Sequence, residues 1–176
     1  MPSVCASDYE AAHFSAAFSV ALFGCLRVGE FTLSKQSQMH QVIGIENIKF
    51  ILNSGVQQID LVIPASKTDQ YGNDCLVKIS ENKSSICPVR LLKHYLHLRP
   101  SFDGLFCHYR EKLLTRYQFA AVLNKALNFI RIDSSRIKTH SFRIGAATMH
   151  FENGVSQEDI QKMGRWKCDA YKRYIR

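Results

Sequence analysis

The apolar positions in the N-terminal part of the chain follow the period of an α-helix. They recur at Ala12, Ala16, Val20 and Phe23. This spacing is typical of a helix with a buried face. Ser7 or Asp8 can cap its first turn, because a short polar side chain accepts hydrogen bonds from the exposed backbone N–H groups there. The pattern predicts a first helix that extends to about Glu30.

Alternating apolar and β-branched residues predominate in the next part of the chain. The segments VIGIENIKFIL (42–52), QQIDLVIPA (57–65) and CLVKI (75–79) each predict a strand. SKTDQYGND (66–74), between the last two strands, is rich in turn residues and predicts a hairpin. These segments together predict a small antiparallel sheet of three strands.

Helical patterns return after the strands. The predicted helices run from Pro88 to before Pro100, from Thr115 to Ile130, from Thr139 or Ser141 to Asn153–Gly154, from Ser156 to Gly164, and onward from about Lys167. GLFCH (104–108) is a short strand or a loop. This order predicts an α+β fold, mostly helical with a small three-stranded antiparallel sheet, in one domain over residues 1–176.

Positive charge is concentrated in the C-terminal part of the chain. Residues 131–176 hold ten Lys and Arg against five Asp and Glu, within a formal net charge of +8. Such a surplus favours a polyanionic partner, with nucleic acid ahead of an anionic membrane because no amphipathic membrane helix is evident. Cations that merely keep the surface soluble are the alternative explanation. The sequence also has no apolar stretch of membrane-spanning length and no signal-peptide pattern.

The cysteines and histidines match no disulfide or zinc pattern. The cysteines are scattered, without a CxxC pair, at Cys5, Cys25, Cys75, Cys87, Cys107 and Cys168. This usage predicts a reducing, intracellular compartment. His94, His97 and Cys107–His108 have none of the spacings of structural zinc sites. LLKHYLHL instead predicts a helix with partly buried histidines.

Two pairs of charged residues lie at predicted helix ends. His140 and Arg143, three residues apart at a helix start, share a face where a helix N-terminus and two cationic groups suit a phosphate. A solvated helix face is the alternative explanation. Arg27 ends a very apolar helix, and Glu30 can neutralise it or hold its guanidinium in one orientation. An ordinary surface ion pair is the alternative there.

Lys67 and an aromatic C-terminal segment complete the set of candidates. Lys67, in the predicted hairpin, is either solvated or able to carry a proton on its flexible chain. GRWKCDAYKRYIR (164–176) places Trp166, Tyr171 and Tyr174 among five cations and one acid. A solvated helix explains the charges alone, whereas a tyrosine that reacts with an anion explains the aromatic residues as well. Helical spacing puts both tyrosines on one face, so geometry leaves the choice between them open.

Taken in order, these residues resemble the catalytic series of the tyrosine recombinases (phage integrases). The series is Arg27, Lys67, His140, Arg143, Trp166 and Tyr174. LRVGE resembles the first-arginine box of that family, HSFRIGAAT its His-x-x-Arg box, and ENGVSQEDIQKMGRW the helix pair before its His-or-Trp position. The terminal YIR is similar to that of Cre recombinase, and GRWKCDAYKRYIR is closer still to the recombinases of DIRS-like retrotransposons and cryptons.

The resemblance implies the catalytic-domain fold of this family and the breakage and rejoining of double-stranded DNA by a homo-oligomer. Tyr174, favoured by its RYIR context, would attack the scissile phosphate and form a 3′-phosphotyrosyl link. Lys67 would protonate the departing 5′-oxygen, and Glu30 would orient the first arginine. The groups expected to hold the phosphate oxygens are Arg27, His140, Arg143 and Trp166. No metal or nucleotide cofactor is implied, because the covalent link conserves the bond energy for rejoining.

Two features of the family have no counterpart in this sequence, namely an N-terminal DNA-clamping domain and a segment beyond the nucleophile that docks on a neighbouring subunit. We therefore expect a single catalytic domain without the clamp. The alternative function is a non-catalytic DNA-binding module derived from a mobile-element recombinase. Its sign would be a lost nucleophile or arginine, and neither is lost. A type IB topoisomerase shares the chemistry but not the HSFRIGAAT…GRW arrangement.

Overall fold

The helices and strands follow the predicted order. The computed structural model describes residues 1, 3–34, 42–64, 75–166 and 171–172. Its helices are α1 (Asp8–Phe23), α2 (Val28–Phe31), α3 (Pro88–Leu98), α4 (Arg116–Phe129), α5 (Ser141–Glu152) and α6 (Gln157–Met163). Its strands are β1 (Ile48–Asn53), β2 (Val56–Ile63), β3 (Cys75–Ser80), β4 (Cys107–His108) and β5 (Lys112–Leu113). The predicted hairpin 66–74 and residues 167–170 of the predicted last helix lie outside the described residues.

Helix α1 forms the centre of the core. Ser7 caps it by accepting a hydrogen bond from Glu10 N at 3.2 Å. Helix α1 packs against both α3 and α5. Its many alanines suit this position, because small side chains let neighbouring helices approach from several directions.

The prediction that the first helix reaches Glu30 is wrong, because α1 ends at Phe23. At Gly24 the chain passes so close to its neighbours that a Cβ there would lie 2.8 Å from Val20 O and 2.9 Å from Ile79 Cδ1. Cys25 then takes a left-handed conformation with φ of 48°. The backbone turns away at this point, and α2 begins as a separate short helix.

The antiparallel sheet has the order β1-β2-β3 and covers one side of the core. Strands β1 and β2 are joined by Ser54 and Gly55, whose φ values of 50° and 81° are both positive, as a type I′ hairpin turn requires. The residues of the inward face are Ile59, Leu61, Ile63 and Ile79, all buried. The first strand begins at Ile48, later than predicted, because Gly44 N donates to Asn47 Oδ1 at 2.8 Å and closes a 3₁₀ turn over Ile45–Asn47.

The later helices agree closely with the predicted limits. Thr115 and Gln118 form a capping box at the start of α4, and Ser156 caps α6 by accepting from Asp159 N at 3.1 Å. Gly154 follows α5 with a φ of 77°, as predicted for a residue just beyond a helix C-terminus. Helix α5 contacts both α1 and α6, so it connects the core to the C-terminal part of the site. The predicted α+β class is confirmed.

A cluster of aromatic rings fills the core between α1 and α3. His13 lies at its centre, 5.0 Å from Phe14 and 5.1 Å from Tyr95 between ring centroids. Neither ring nitrogen of His13 has a hydrogen-bond partner among the described residues. Burial, with smaller contributions from His108 and Arg99, lowers the pKa of His13 to about 3. The imidazole is therefore neutral at physiological pH.

The cysteines that the structure describes are Cys5, Cys25, Cys75, Cys87 and Cys107, and all five are free thiols. Cys168 lies outside the described residues. Within the described part of the chain, no helix has both the length and the apolar character needed to cross a membrane.

Candidate active site

Two helix C-termini converge at the candidate site. Helix α1 ends at Gly24–Cys25 and α6 ends at Gly164–Arg165, and each end has the pair of backbone hydrogen bonds of a Schellman motif. Cys25 and Arg165 hold the left-handed position of these motifs, with φ values of 48° and 55°. Glycine usually occupies that position, because a Cβ is unfavourable there. The two ends direct backbone carbonyls with partial negative charge toward the same region.

Arg143 bridges these two helix ends. It lies in the first turn of α5 and is only 2% exposed. Its Nη1 donates to Cys25 O at 2.7 Å, and its Nη2 donates to Gly164 O at 2.5 Å. Its Cζ lies 4.6 Å from the ring centroid of Trp166, within the range of a cation–π contact. The guanidinium is thus held by two separate segments of the chain, one around Cys25 and one over Gly164–Trp166.

The charge of Arg143 survives burial. Desolvation lowers its pKa to about 10, and the positive charges of Arg27 and Arg165 act in the same direction. Glu30 opposes these effects. A pKa of about 10 keeps the guanidinium protonated at neutral pH, so the site contains a fixed and buried positive charge.

Glu30 contacts both the side chain and the backbone of Arg27. Arg27 Nη1 lies 3.0 Å from Glu30 Oε1, and the backbone N–H of Arg27 donates to Glu30 Oε2 at 2.7 Å. Arg27 is the N-cap residue of the short helix α2, not the last residue of a long helix as predicted. Its side chain is 40% exposed, whereas that of Glu30 is 6% exposed. An anion can therefore reach Arg27 while the carboxylate behind it remains covered.

Arg165 is a component of the site that the sequence analysis did not identify. Its Nη2 lies 2.8 Å from Glu30 Oε2 and 3.1 Å from Cys25 O. Among the described residues, three guanidinium groups thus gather around the single carboxylate of Glu30. The available signal in the sequence was an arginine directly after Gly164, where a helix was predicted to end.

His140 and Trp166 border the same cluster. His140 is the exposed N-cap residue of α5, and its pKa is lowered by desolvation first and then by the charges of Arg143 and Arg27. Arg143 lies three residues after it, in the first turn of the same helix. Trp166 follows the end of α6 and packs so closely on Gly164 that a Cβ added there would overlap the indole ring.

Of the two tyrosine candidates, the structure describes Tyr171. Tyr171 is buried, its ring centroid lies 6.2 Å from that of Trp166, and its hydroxyl donates to Gln157 Oε1 at 3.3 Å. The Tyr171 ring therefore packs beside Trp166. Tyr174 and Lys67 lie outside the described residues.

The histidines considered for zinc do not form a metal centre. His94 and His97 are exposed on α3, contrary to the prediction of partial burial, because the buried side of α3 is formed by other residues. His108 Nε2 lies 3.1 Å from Gln118 Oε1. Across the described ranges, no three His, Cys, Asp or Glu side chains are arranged to hold a metal ion.

The cluster has the chemistry of an oxyanion site. Its arginines outnumber its carboxylate, and one of them is accessible while another is rigidly held. Guanidinium groups bind phosphate through paired N–H donors, and fixed donors need no reorganisation when charge develops on the bound group. All five of the predicted site residues that the structure describes lie in or beside this cluster. They are Arg27, Glu30, His140, Arg143 and Trp166.

The chain is similar to known proteins both in sequence pattern and in fold. The family model described as "Phage integrase family" matches residues 3–175. The fold is similar to that of XerH site-specific recombinase bound to palindromic difH substrate in a post-cleavage complex, with a TM-score of 0.72 and 18% identity over 99% of this chain. XerA recombinase has a TM-score of 0.65 and 20% identity over 99% of this chain. The Tn1549 transposon integrase in complex with circular intermediate DNA has a TM-score of 0.61 and 13% identity over 99% of this chain.

Because the sequence identities are only 13–20%, these matches show the fold alone. The chain spans about half the length of the solved structures, covering 45% of XerH, 54% of XerA and 57% of the Tn1549 integrase. No curated protein sequence matches the chain. The catalytic-domain fold implied by the sequence resemblance is confirmed.

Proposed function

This chain belongs to the phage integrase family, and on that premise we propose that it breaks and rejoins DNA strands through a 3′-phosphotyrosyl intermediate. One observation carries the proposal. The boxes around Arg27, around His140 and Arg143, and around Trp166 are far apart in sequence, yet their side chains meet where α1 and α6 end. A fold without an anion to bind has no need to gather buried and half-exposed guanidinium groups at one point.

The two arginines suit complementary tasks in phosphoryl transfer. Arg27 is accessible and would bind the scissile phosphate as DNA docks. Arg143 is fixed by two backbone carbonyls and would stabilise the charge that develops on the pentacoordinate phosphorus. His140 and Trp166 would donate further hydrogen bonds to the phosphate oxygens.

Tyr174 and Lys67 would carry out the covalent steps. The Tyr174 oxygen would bond to phosphorus as its phenolic proton passes to water, and the bond from phosphorus to the 5′-oxygen would break. Lys67 would give that 5′-oxygen a proton. Support for Tyr174 comes from Tyr171, whose ring is buried and whose hydroxyl is bonded to Gln157. Rejoining reverses these steps, with a new 5′-hydroxyl attacking the phosphotyrosine.

The wider setting follows from the same proposal. We place residues 1–176 in one catalytic domain that acts on double-stranded DNA as a homo-oligomer, in the nucleus if the source is eukaryotic. Kinship with the recombinases of DIRS-like retrotransposons and cryptons, based on GRWKCDAYKRYIR, belongs to the proposal as well. The positive charge at the phosphate comes from side chains, so strand cleavage is expected to persist in EDTA.

Covalent capture on a nicked suicide duplex tests the proposal. The short strand beyond the nick diffuses away after cleavage and leaves the protein joined to DNA on a denaturing gel. Tyr174→Phe is expected to abolish the adduct without changing DNA affinity, because only the hydroxyl is lost. Tyr171→Phe is the matched control and is expected to retain capture.

Three outcomes would contradict this assignment. A peptide map that finds the nucleotide on Tyr171 would replace the nucleophile. Absence of any adduct with the full gene product, together with intact DNA binding, would favour the non-catalytic DNA-binding module. Loss of capture in EDTA, with recovery on adding zinc or magnesium, would point to a different class of enzyme.

A further inference from the structure

Arg165 adopts a backbone conformation that costs free energy. It lies between Gly164 and Trp166 with a φ of 55°, in the left-handed region. A residue with a Cβ pays about 1–2 kcal/mol there relative to a right-handed conformation. Compensating contacts are therefore expected around this residue, and its guanidinium makes them.

The guanidinium of Arg165 ties α6 to the end of α1 and the start of α2. Its side chain is 11% exposed and lies 2.8 Å from Glu30 Oε2. It also donates to the carbonyl oxygens of Cys25 at 3.1 Å and of Met163 at 3.3 Å. The residue directly before Trp166 is thus fixed to the same carboxylate that orients Arg27.

Glu30 is shared between two arginines. Its Oε2 accepts from Arg165 and from the backbone of Arg27, and its Oε1 accepts from the Arg27 side chain. The Arg27 guanidinium in turn donates to Arg165 O at 3.5 Å. One negative charge divided between two guanidinium groups leaves Arg27 with a surplus of positive charge toward solvent. Without Arg165, the carboxylate would act on Arg27 alone.

We propose that Arg165 is a positioning residue, which holds Trp166 in place against Arg143 and shares Glu30 so that Arg27 remains available to a phosphate. The geometric part of this inference stands by itself. The catalytic part rests on the proposed strand-cleavage function. Arg165 does not need to contact the phosphate in either part.

The fluorescence of Trp166 tests the geometric part without DNA. Trp166 is the only tryptophan in the sequence, so its emission reports on this site alone. Arg165→Met is expected to shift the emission maximum to longer wavelength and to raise the acrylamide quenching constant, because the indole loses its fixed position. Arg165→Lys is expected to have an intermediate effect, since an ammonium group cannot bond the carboxylate and two carbonyls in one plane.

Lys162→Met provides the matched control. Lys162 is a cation in the last turn of α6, and its exposed ammonium group lies 3.7 Å from the exposed Asp159 carboxylate. Its removal takes away the same charge without touching Glu30, so emission and quenching are expected to match the parent protein. Identical fluorescence in Arg165→Met and Lys162→Met would overturn the proposal.

Single-turnover capture on the suicide duplex tests the catalytic part. A misplaced catalytic side chain slows reactions by about 10- to 100-fold, and we expect that loss in Arg165→Met with nearly unchanged DNA affinity. Glu30→Gln keeps the shape of the side chain, and combining it with Arg165→Met should cost less than the two separate losses together, because each variant alone already disrupts the Arg165–Glu30 ion pair. Additive losses, or a normal rate in Arg165→Met, would overturn this part. If the parent protein forms no adduct, the strand-cleavage function fails while the fluorescence result still decides the geometry.

Discussion

Two regions of the molecule each bury an ionisable side chain, but only one of them keeps it charged. They are the aromatic core around His13 and the helix-end junction, where the C-termini of α1 (Gly24–Cys25) and α6 (Gly164–Arg165) meet at Arg143. His13 is fully buried among rings, finds no hydrogen-bond partner among the described residues, and has a pKa of about 3. Arg143 is almost as deeply buried, yet its pKa remains at about 10. One region removes the charge of its buried group, and the other retains it.

The difference lies in the partners that each region supplies. Aromatic rings stack on His13, and a ring face is a poor hydrogen-bond partner for an N–H group of the imidazole. Arg143 meets carbonyl oxygens at two helix C-termini, where the partial negative charge of the helix dipole offsets the guanidinium. The junction also contains two strained residues, Cys25 and Arg165. Such strain is tolerated where the surrounding structure enforces it, and it is often found at functional sites.

Of the substitutions in the two regions, removing the buried charge of Arg143 is expected to have the largest effect, and the quantity affected is the rate of covalent capture. Arg143→Ala deletes a preorganised donor and leaves the carbonyls of Cys25 and Gly164 without their partner. Loss of one such donor slows catalysis by about 10²–10³-fold, and we expect a loss of this size in single-turnover covalent capture. Arg143→Lys keeps the charge but cannot bridge both carbonyls, so it should recover only part of the rate.

The aromatic core provides the control for that measurement. His13→Leu removes an equally buried ionisable group that has no role at the junction, so capture by the folded variant should remain close to that of the parent protein. Capture by Arg143→Ala at the parental rate would contradict the role of the junction. An equal loss in both variants would mean that capture reports on stability instead of on the site.

The sequence patterns identified most of the side chains at the junction, but not the backbone carbonyls that they bond. The boxes around Arg27, His140 and Arg143 could be identified because residue type and order carry the resemblance. The carbonyl oxygens of Cys25 and Gly164 could not, since every residue has a carbonyl and only the three-dimensional fold decides where it is directed. Arg165 was missed for the same reason, because its role depends on two helix ends meeting.

The errors in helix and strand limits arise where a local turn interrupts an apolar pattern. The apolar pattern continues past Gly24, but the helix ends there in a Schellman motif with Cys25 in the left-handed conformation. The first strand starts late because the Asn47 side chain closes a turn on Gly44. The caps at Thr115 and Ser156 were predicted correctly because they depend only on residues within the same turn.

Acid should destabilise the aromatic core through His13. Its pKa is about 3 in the folded protein and near 6.5 when unfolded, so between these values the unfolded chain binds the proton more readily. The stability from the neutral imidazole is fully present above pH 6.5 and is lost as the pH falls toward 3. The expected loss approaches about 1.4 kcal/mol per pH unit. Urea unfolding at a series of pH values measures it.

Comparing two histidine variants isolates this contribution. His13→Leu should lower the dependence of the unfolding free energy on pH, whatever its effect on stability at neutral pH. His94→Leu makes the same substitution at an exposed histidine of α3 and is the matched control. Arg143 does not titrate in this range, because its pKa of about 10 lies well above it. Equal slopes in the parent and His13→Leu would show that burial of this imidazole is not linked to acid stability.

The smallest expected effect comes from a single added methyl group at the junction. Gly164 has a right-handed backbone, with φ of −81°, so alanine fits the conformation and only its Cβ conflicts with the Trp166 ring. Overpacking of this kind costs about 1–3 kcal/mol, and the displaced indole should also change its emission. Gly145→Ala in α5 adds the same methyl group at an ordinary 3.6 Å from Leu22 Cδ1. Replacing a helical glycine by alanine stabilises by roughly 0.5–1 kcal/mol, so the two variants should move the unfolding free energy in opposite directions. A stabilised Gly164→Ala with unchanged emission would mean that the indole does not need its close contact with the end of α6.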